Sequence, residues 1–105
     1  MDQYFSRPIH RTGAQGNGYM LQRSTRIAYI TVTPGAFDAV VTFTDGAGGV
    51  TLWKQEADAA SGSSNQSFGN YPLLFKNGVY VVFDTGGDNN ASISIAVIEP
   101  MSSGT

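Results

Sequence analysis

Three residues in this chain could do chemistry by their type and order: Asp84, Thr85 and Gly86, which follow the apolar run Val79–Phe83. An Asp-Thr-Gly triplet at a strand end can present a carboxylate that shares one proton with its mate across a dimer axis, the arrangement that hydrolyses peptides. A three-residue motif arises easily by chance in a chain with 13 glycines. Only one strand's worth of chain follows Asp84, so a strand end running into a glycine turn explains the residues better. His10 is the sole histidine and cysteine is absent. A metal site needs several converging ligands, and the carboxylates here are scattered over separate segments without calcium-loop spacing. Gly46–Gly49 and the Gly13, Gly16, Gly18 set are followed by neither Lys-Ser/Thr nor a helical pattern, so they read as turns and not as phosphate cradles. Asn65-Gln66-Ser67 and Asn90-Ala91-Ser92 fit a glycan acceptor, but no charged-then-apolar leader precedes them. The residues therefore predict no catalysis, no cofactor and no metal.

The charges, by contrast, are ordered. Arg7, Arg11, Arg23 and Arg26 precede the first clear strand, opposed there only by Asp2. From Ile27 onward Lys54 and Lys76 face Asp38, Asp45, Glu56, Asp58, Asp84, Asp88 and Glu99. Residues 1–23, with Pro8, three glycines and no sustained period, read as an N-terminal arm before a β domain over 24–100 and a polar tail over 101–105. Tyr4, Phe5 and Ile9 are candidate anchors on that arm; Arg7, Arg11, Arg23 and Arg26 are candidate partners for an acidic protein surface or members of an ordinary solvated segment; and Trp53 is a second-layer core residue or a candidate binding anchor in the body. Four arginines over twenty residues are sparse for nucleic acid, and the net charge of −2 gives no global attraction to it. No apolar run reaches membrane-spanning length, and the N-terminus has no secretory pattern, which together predict synthesis in a cytoplasm, bacterial in style, with no membrane partner.

Those groups must be placed by strands. Six segments carry strand composition: Arg26–Thr33, Ala39–Thr44, Val50–Glu56, Leu73–Phe75, Val79–Phe83 and Ala91–Ile98. Turn residues separate them about every ten positions, and no helical period occurs, so the expected fold is a small antiparallel β-sandwich or barrel of about six strands. The expected core is Val41, Phe43, Val50, Leu52, Leu74, Val79, Val81, Phe83, Ile93, Ile95 and Val97. Asn77-Gly78 predicts a tight hairpin between Leu73–Phe75 and Val79–Phe83, and Ala57–Ser67 an exposed loop. Charged residues are only 13% of the chain, about half the usual share, which suits a packed β protein with assembly surfaces.

Gly48–Lys54 (GGVTLWK), Phe68–Phe83 (FGNYPLLFKNGVYVVF) and the closing Ile93–Val97 strand together resemble small β-sandwich structural proteins of tailed-bacteriophage virions, over about two-thirds of the chain. The matching residues are hairpin and core residues. The resemblance implies a non-enzymatic virion part: a head decoration or cement protein bound to the major capsid protein, often as a homo-oligomer such as a trimer. A neck, tail or baseplate adaptor belongs to the same class. A carbohydrate-binding module using Trp53, Tyr71 and Tyr80 is the answer from a different class, and a retroviral-type aspartic protease, from the triplet at Asp84, comes last.

Overall fold

The structure, a computed structural model, describes residues 4–84 and 90–100, with backbone alone for residues 4–7, 99 and 100. The turn expected over Thr85–Asn90 lies outside the described residues except for Asn90, and the polar tail lies outside them wholly. Among the described residues nine strands form: β1 (Tyr4–Thr12), β2 (Gly18–Leu21), β3 (Thr25–Thr33), β4 (Ala39–Asp45), β5 (Thr51–Ala57), β6 (Ser64–Ser67), β7 (Leu73–Phe75), β8 (Val79–Phe83) and β9 (Ser92–Pro100). They make two antiparallel sheets. Sheet A runs β1-β9-β3-β6, with β7 also on β3, and sheet B runs β2-β8-β4-β5. The molecule is an all-β sandwich, as the spacing of the strand segments predicts. Among the described residues no helix is long and apolar enough to cross a membrane.

The six segments of strand composition all appear, and three further strands complete the sheets. Residues 4–12 do not stand outside the fold: β1 pairs with β9 along its whole length, from Tyr4 opposite Pro100 to Thr12 opposite Ser92. A single 3₁₀ turn, Gly13–Gln15, then carries the chain across to sheet B, where β2 adds to β8. Pro8 hides this strand from a propensity reading, yet proline is tolerated on an edge strand, which pairs on one side only. The arm expectation is therefore corrected. The leader supplies an edge to each sheet, and no boundary falls at residue 23. Likewise β6, read as loop because it is wholly polar, is an edge strand on β3.

The core is Ile27, Ile30, Val32, Val41, Phe43, Phe75, Val79, Val81, Ile93, Ile95 and Val97, with Ala39, Ala57 and Ala91 between them. Val41, Phe43, Val79, Val81, Ile93, Ile95 and Val97 are where alternation puts them. Leu52 and Phe83 are half-buried against the core. Val50 and Leu74 are not in it, being 71% and 44% exposed. Val50 precedes β5, in the turn, and so stays outside. Phe43 opposes Trp53 but Thr44 opposes Thr51, so Leu52 is the extra residue of a bulge and the buried parity of β5 is Trp53, Gln55, Ala57. A second bulge, between Ile27 and Tyr29, lets Ile27 and Ile30 share the interior. For β7 the parity is reversed by one residue: Phe75 is buried and Leu73 half-buried, leaving Leu74 outside.

Asn77-Gly78 is not a hairpin. β7 lies in sheet A and β8 in sheet B, so the dipeptide turns a corner between sheets. Only Gly78 takes positive φ, at 101°, whereas a type I′ turn would need both residues there. Asp45 holds the corner by accepting from the Asn77 main-chain N–H at 2.7 Å and its side-chain amide at 3.3 Å. A Cβ on Gly78 would sit 2.6 Å from the Leu21 carbonyl oxygen, so glycine is required twice over.

Candidate functional site

Two lateral seams close the sandwich, and two of the residues singled out from sequence are seam residues. On the β1–β2 side, Arg11 projects from β1 and its guanidinium donates to the carbonyls of Gly16 (2.8 Å), Gln15 (3.2 Å), Asn17 (3.2 Å) and Tyr19 (3.3 Å). A Cβ at Gly18 would collide with that guanidinium, which is why glycine opens β2. The Asn17 side chain accepts from the Phe83 N–H at 2.8 Å, and the Ala47 N–H donates to the Tyr19 hydroxyl at 3.0 Å. Arg11 therefore does not reach outward to a partner: it satisfies the carbonyls of its own 3₁₀ turn.

On the β5–β6 side, Trp53 lies edge-on to Phe68, with centroids 5.0 Å apart and planes at 81°. Its indole N–H donates to Gln55 Oε1 at 2.9 Å. The Gln55 amide, buried, donates across to sheet A, to the Ser64 carbonyl at 3.0 Å and the Ile30 carbonyl at 3.3 Å. A buried amide with both ends engaged joins the two sheets where no strand can. Trp53 is thus a half-buried seam residue and not an exposed anchor. Tyr80 is on the opposite side of sheet B, edge-on to Tyr19 at 5.1 Å, and Tyr71 stands 86% exposed in the β6–β7 connection. Trp53, Tyr71 and Tyr80 therefore form no common sugar platform.

The remaining candidates separate further. Ile9 packs against the core. Tyr4, Phe5 and Arg7 lie on β1 opposite Pro100, Glu99 and Val97. Arg23 and Arg26 are brought together: with Ser24, Thr25, Leu74, Val97 and Ile98 they line an open depression of about 410 Å³ at the start of β3. A smaller one, about 230 Å³, is lined by Asp38, Glu56, Ala57 and Asp58 near the end of the molecule where β3 finishes. Asp84 is exposed. It accepts a long hydrogen bond from Thr42 (3.3 Å), and its N–H donates to the Val40 carbonyl at 2.7 Å, the ordinary continuation of β8 beside β4. Among the described residues no three His, Asp or Glu side chains converge as metal ligands.

The outer face of sheet A is the feature that residue-by-residue reading misses. Register places its side chains in cross-strand rows. Thr12, Ser92 and Thr33 form one row, and His10, Ser94, Thr31 and Asn65 the next. Pro8, Ala96, Tyr29 and Ser67 follow, then Ile98, Arg26 and Leu74. Across four rows the one fixed charge is Arg26, at the margin. The hydroxyls are ordered by each other: Thr31 donates to Asn65 Oδ1 at 2.8 Å, and Thr33 and Ser63 hydroxyls lie 3.0 Å apart. The sequence signal was present in the Ser92–Ala96 alternation and the low overall charge, but it becomes a surface only once β1, β6 and β9 are set beside β3.

No protein-family model matches the chain, and no curated protein matches it.

Proposed function

We propose that the chain is a non-catalytic virion structural protein, a decoration or cement protein that lies flat on the assembled head through the outer face of sheet A. The observation that carries this reading is the make-up of that face. A sheet face meant only for water gains from Lys and Glu, which keep it soluble and guard it against wrong contacts. Here Thr31, Asn65, Ser67, Ser94 and Ala96 share the middle rows with His10, Pro8 and Tyr29, a surface without fixed charge that a partner can hydrogen-bond to with little desolvation of charge. The phage resemblance of the β7–β8 and β9 segments supplies the class of partner, the major capsid protein.

The size of the face sets the mode of binding. Four strands about 4.8 Å apart, with rows about 6.8 Å apart, offer roughly 400 Å². That is below the roughly 800 Å² per partner of a standard stable interface. One copy would therefore bind weakly, and attachment would depend on several contacts made at once by an oligomer on a repeating lattice. A charge in the middle of the face tests this. Ser94→Lys and Ala96→Glu are expected to abolish co-sedimentation with undecorated heads, with melting temperature unchanged, while Thr42→Lys on the outer face of sheet B keeps binding. Equal binding by all three would overturn the reading.

A further inference from the structure

The arginine-lined depression and the acidic end of the sandwich complement one another on different copies of the chain. Arg23 and Arg26 sit where β3 begins, and Phe37 and Asp38 follow where it ends. Nine strand residues separate these ends by about 30 Å, in a body 46 × 28 × 20 Å. Lys76 joins the arginine end, because Phe75 is paired with Thr25. Asp45, also at that end, is engaged with Asn77. Arg7 and Glu99 lie there by register, one charge of each sign. At the far end Glu56 opposes Val40, the Asp84 N–H donates to the Val40 carbonyl, and Asp38 and Asp58 follow on either side of the Ala39–Ala57 pair. Arg11 also lies at this far end, opposite Ile93, with its guanidinium held by four carbonyls; apart from it, the described charges at the two ends are mainly basic at one and acidic at the other.

Shape follows charge. Phe37 is 66% exposed at the acidic end, beside Asp38. The arginine depression at the other end has an apolar wall of Leu74 and Ile98 and room for a phenyl ring. Arg23, Arg26 and Phe37 each also have a partner within the chain, so the contact between copies is made by residues already engaged. We infer that this protein associates head to tail: Phe37 of one copy enters the depression of the next, and the carboxylates around Asp38 face Arg23, Arg26 and Lys76. Such a contact is heterologous, so copies add in one direction and form rings or open filaments instead of closed pairs. The end face measures 28 × 20 Å, about 560 Å² per copy, so a single contact is weak and strongly salt-dependent. The inference concerns the isolated chain and holds whether or not the capsid reading does.

Sedimentation velocity of the purified chain tests it. At about 0.01 M salt, where charges act over about 30 Å, species larger than a dimer are expected to grow with concentration, and at about 1 M salt they are expected to vanish. Phe37→Ser, and separately Arg23→Glu, are each expected to lower the association constant at least tenfold in a chain whose circular dichroism remains that of the folded sandwich. The decisive arm mixes the two variants. Each spoils a different end, so an equimolar mixture regains one intact contact and stops at a heterodimer. A wild-type chain that stays monomeric at low salt overturns the inference. So does a mixture that forms no heterodimer, which would mean the contact is not head to tail.

Discussion

Replacing Arg11 with alanine separates a residue that holds the fold from one that greets a partner. The guanidinium donates to four carbonyls, of which Gly16 and Tyr19 are the part-buried ones. Bonds to charged groups are worth about 1.5–3 kcal/mol when buried. Solvent screening cuts this to about 1 kcal/mol for each of the two part-buried bonds and to near nothing for the exposed Gln15 and Asn17 pair. The aliphatic stem adds roughly 0.5–1 kcal/mol of packing. The expected loss is about 2–3 kcal/mol, which for a domain of this size lowers the melting temperature by about 10–20 °C. Differential scanning calorimetry reads it directly. Arg11→Lys is expected to recover less than half, since an ammonium is a compact point donor that cannot span carbonyls fanned around a turn. Binding to heads, measured well below the lowered transition, is expected to be unchanged. A variant that melts within about 2 °C of wild type yet no longer binds would show that Arg11 docks and does not clamp.

Other expectations are simpler. Gln55→Ala removes the amide that ties β5 to Ser64 and Ile30 and strips the Trp53 indole of its acceptor; urea denaturation is expected to show a loss of about 1–3 kcal/mol. Val50→Ser is expected to stay within about 0.5 kcal/mol of wild type, because Val50 is a turn residue, whereas Ile95→Ala in the core should cost about 2–5 kcal/mol. Equal effects at both sites would mean that Val50 is packed in the core and not exposed in the turn. Asp84→Asn is expected to leave head binding intact, and any peptidase activity lost with it would return the Asp84 triplet to consideration.

The parts of the fold legible in the sequence are those where one rule acts alone. β4, β8 and β9 alternate cleanly, and their buried residues are the ones alternation names. The misreadings have local causes. One extra residue at Leu52 and one near Ala28 shift the parity of everything beyond them, and no periodicity count sees a bulge. β1 mixes Pro8, His10 and two arginines because an edge strand has little to bury, and β6 is polar for the same reason. Asn77-Gly78 reads as a hairpin in any local window, and only the pairing of β7 with β3 and of β8 with β4 makes it a corner. Of the candidate site residues, Arg11 and Trp53 looked available for binding because the groups that engage them, four carbonyls and one amide, carry no signature of proximity in the sequence. Arg23 and Arg26 do meet, at one depression. Phe37 gave no signal until the far end of β3 was located.

A cryo-electron reconstruction of heads decorated with the full-length chain tests the central claim most directly. The expected result places the Thr31, Ser94 and Ala96 rows of sheet A against the capsid shell, with sheet B facing solvent. Density showing sheet A turned outward, or contact made through the β1 edge with the sheet face bare, would contradict the account.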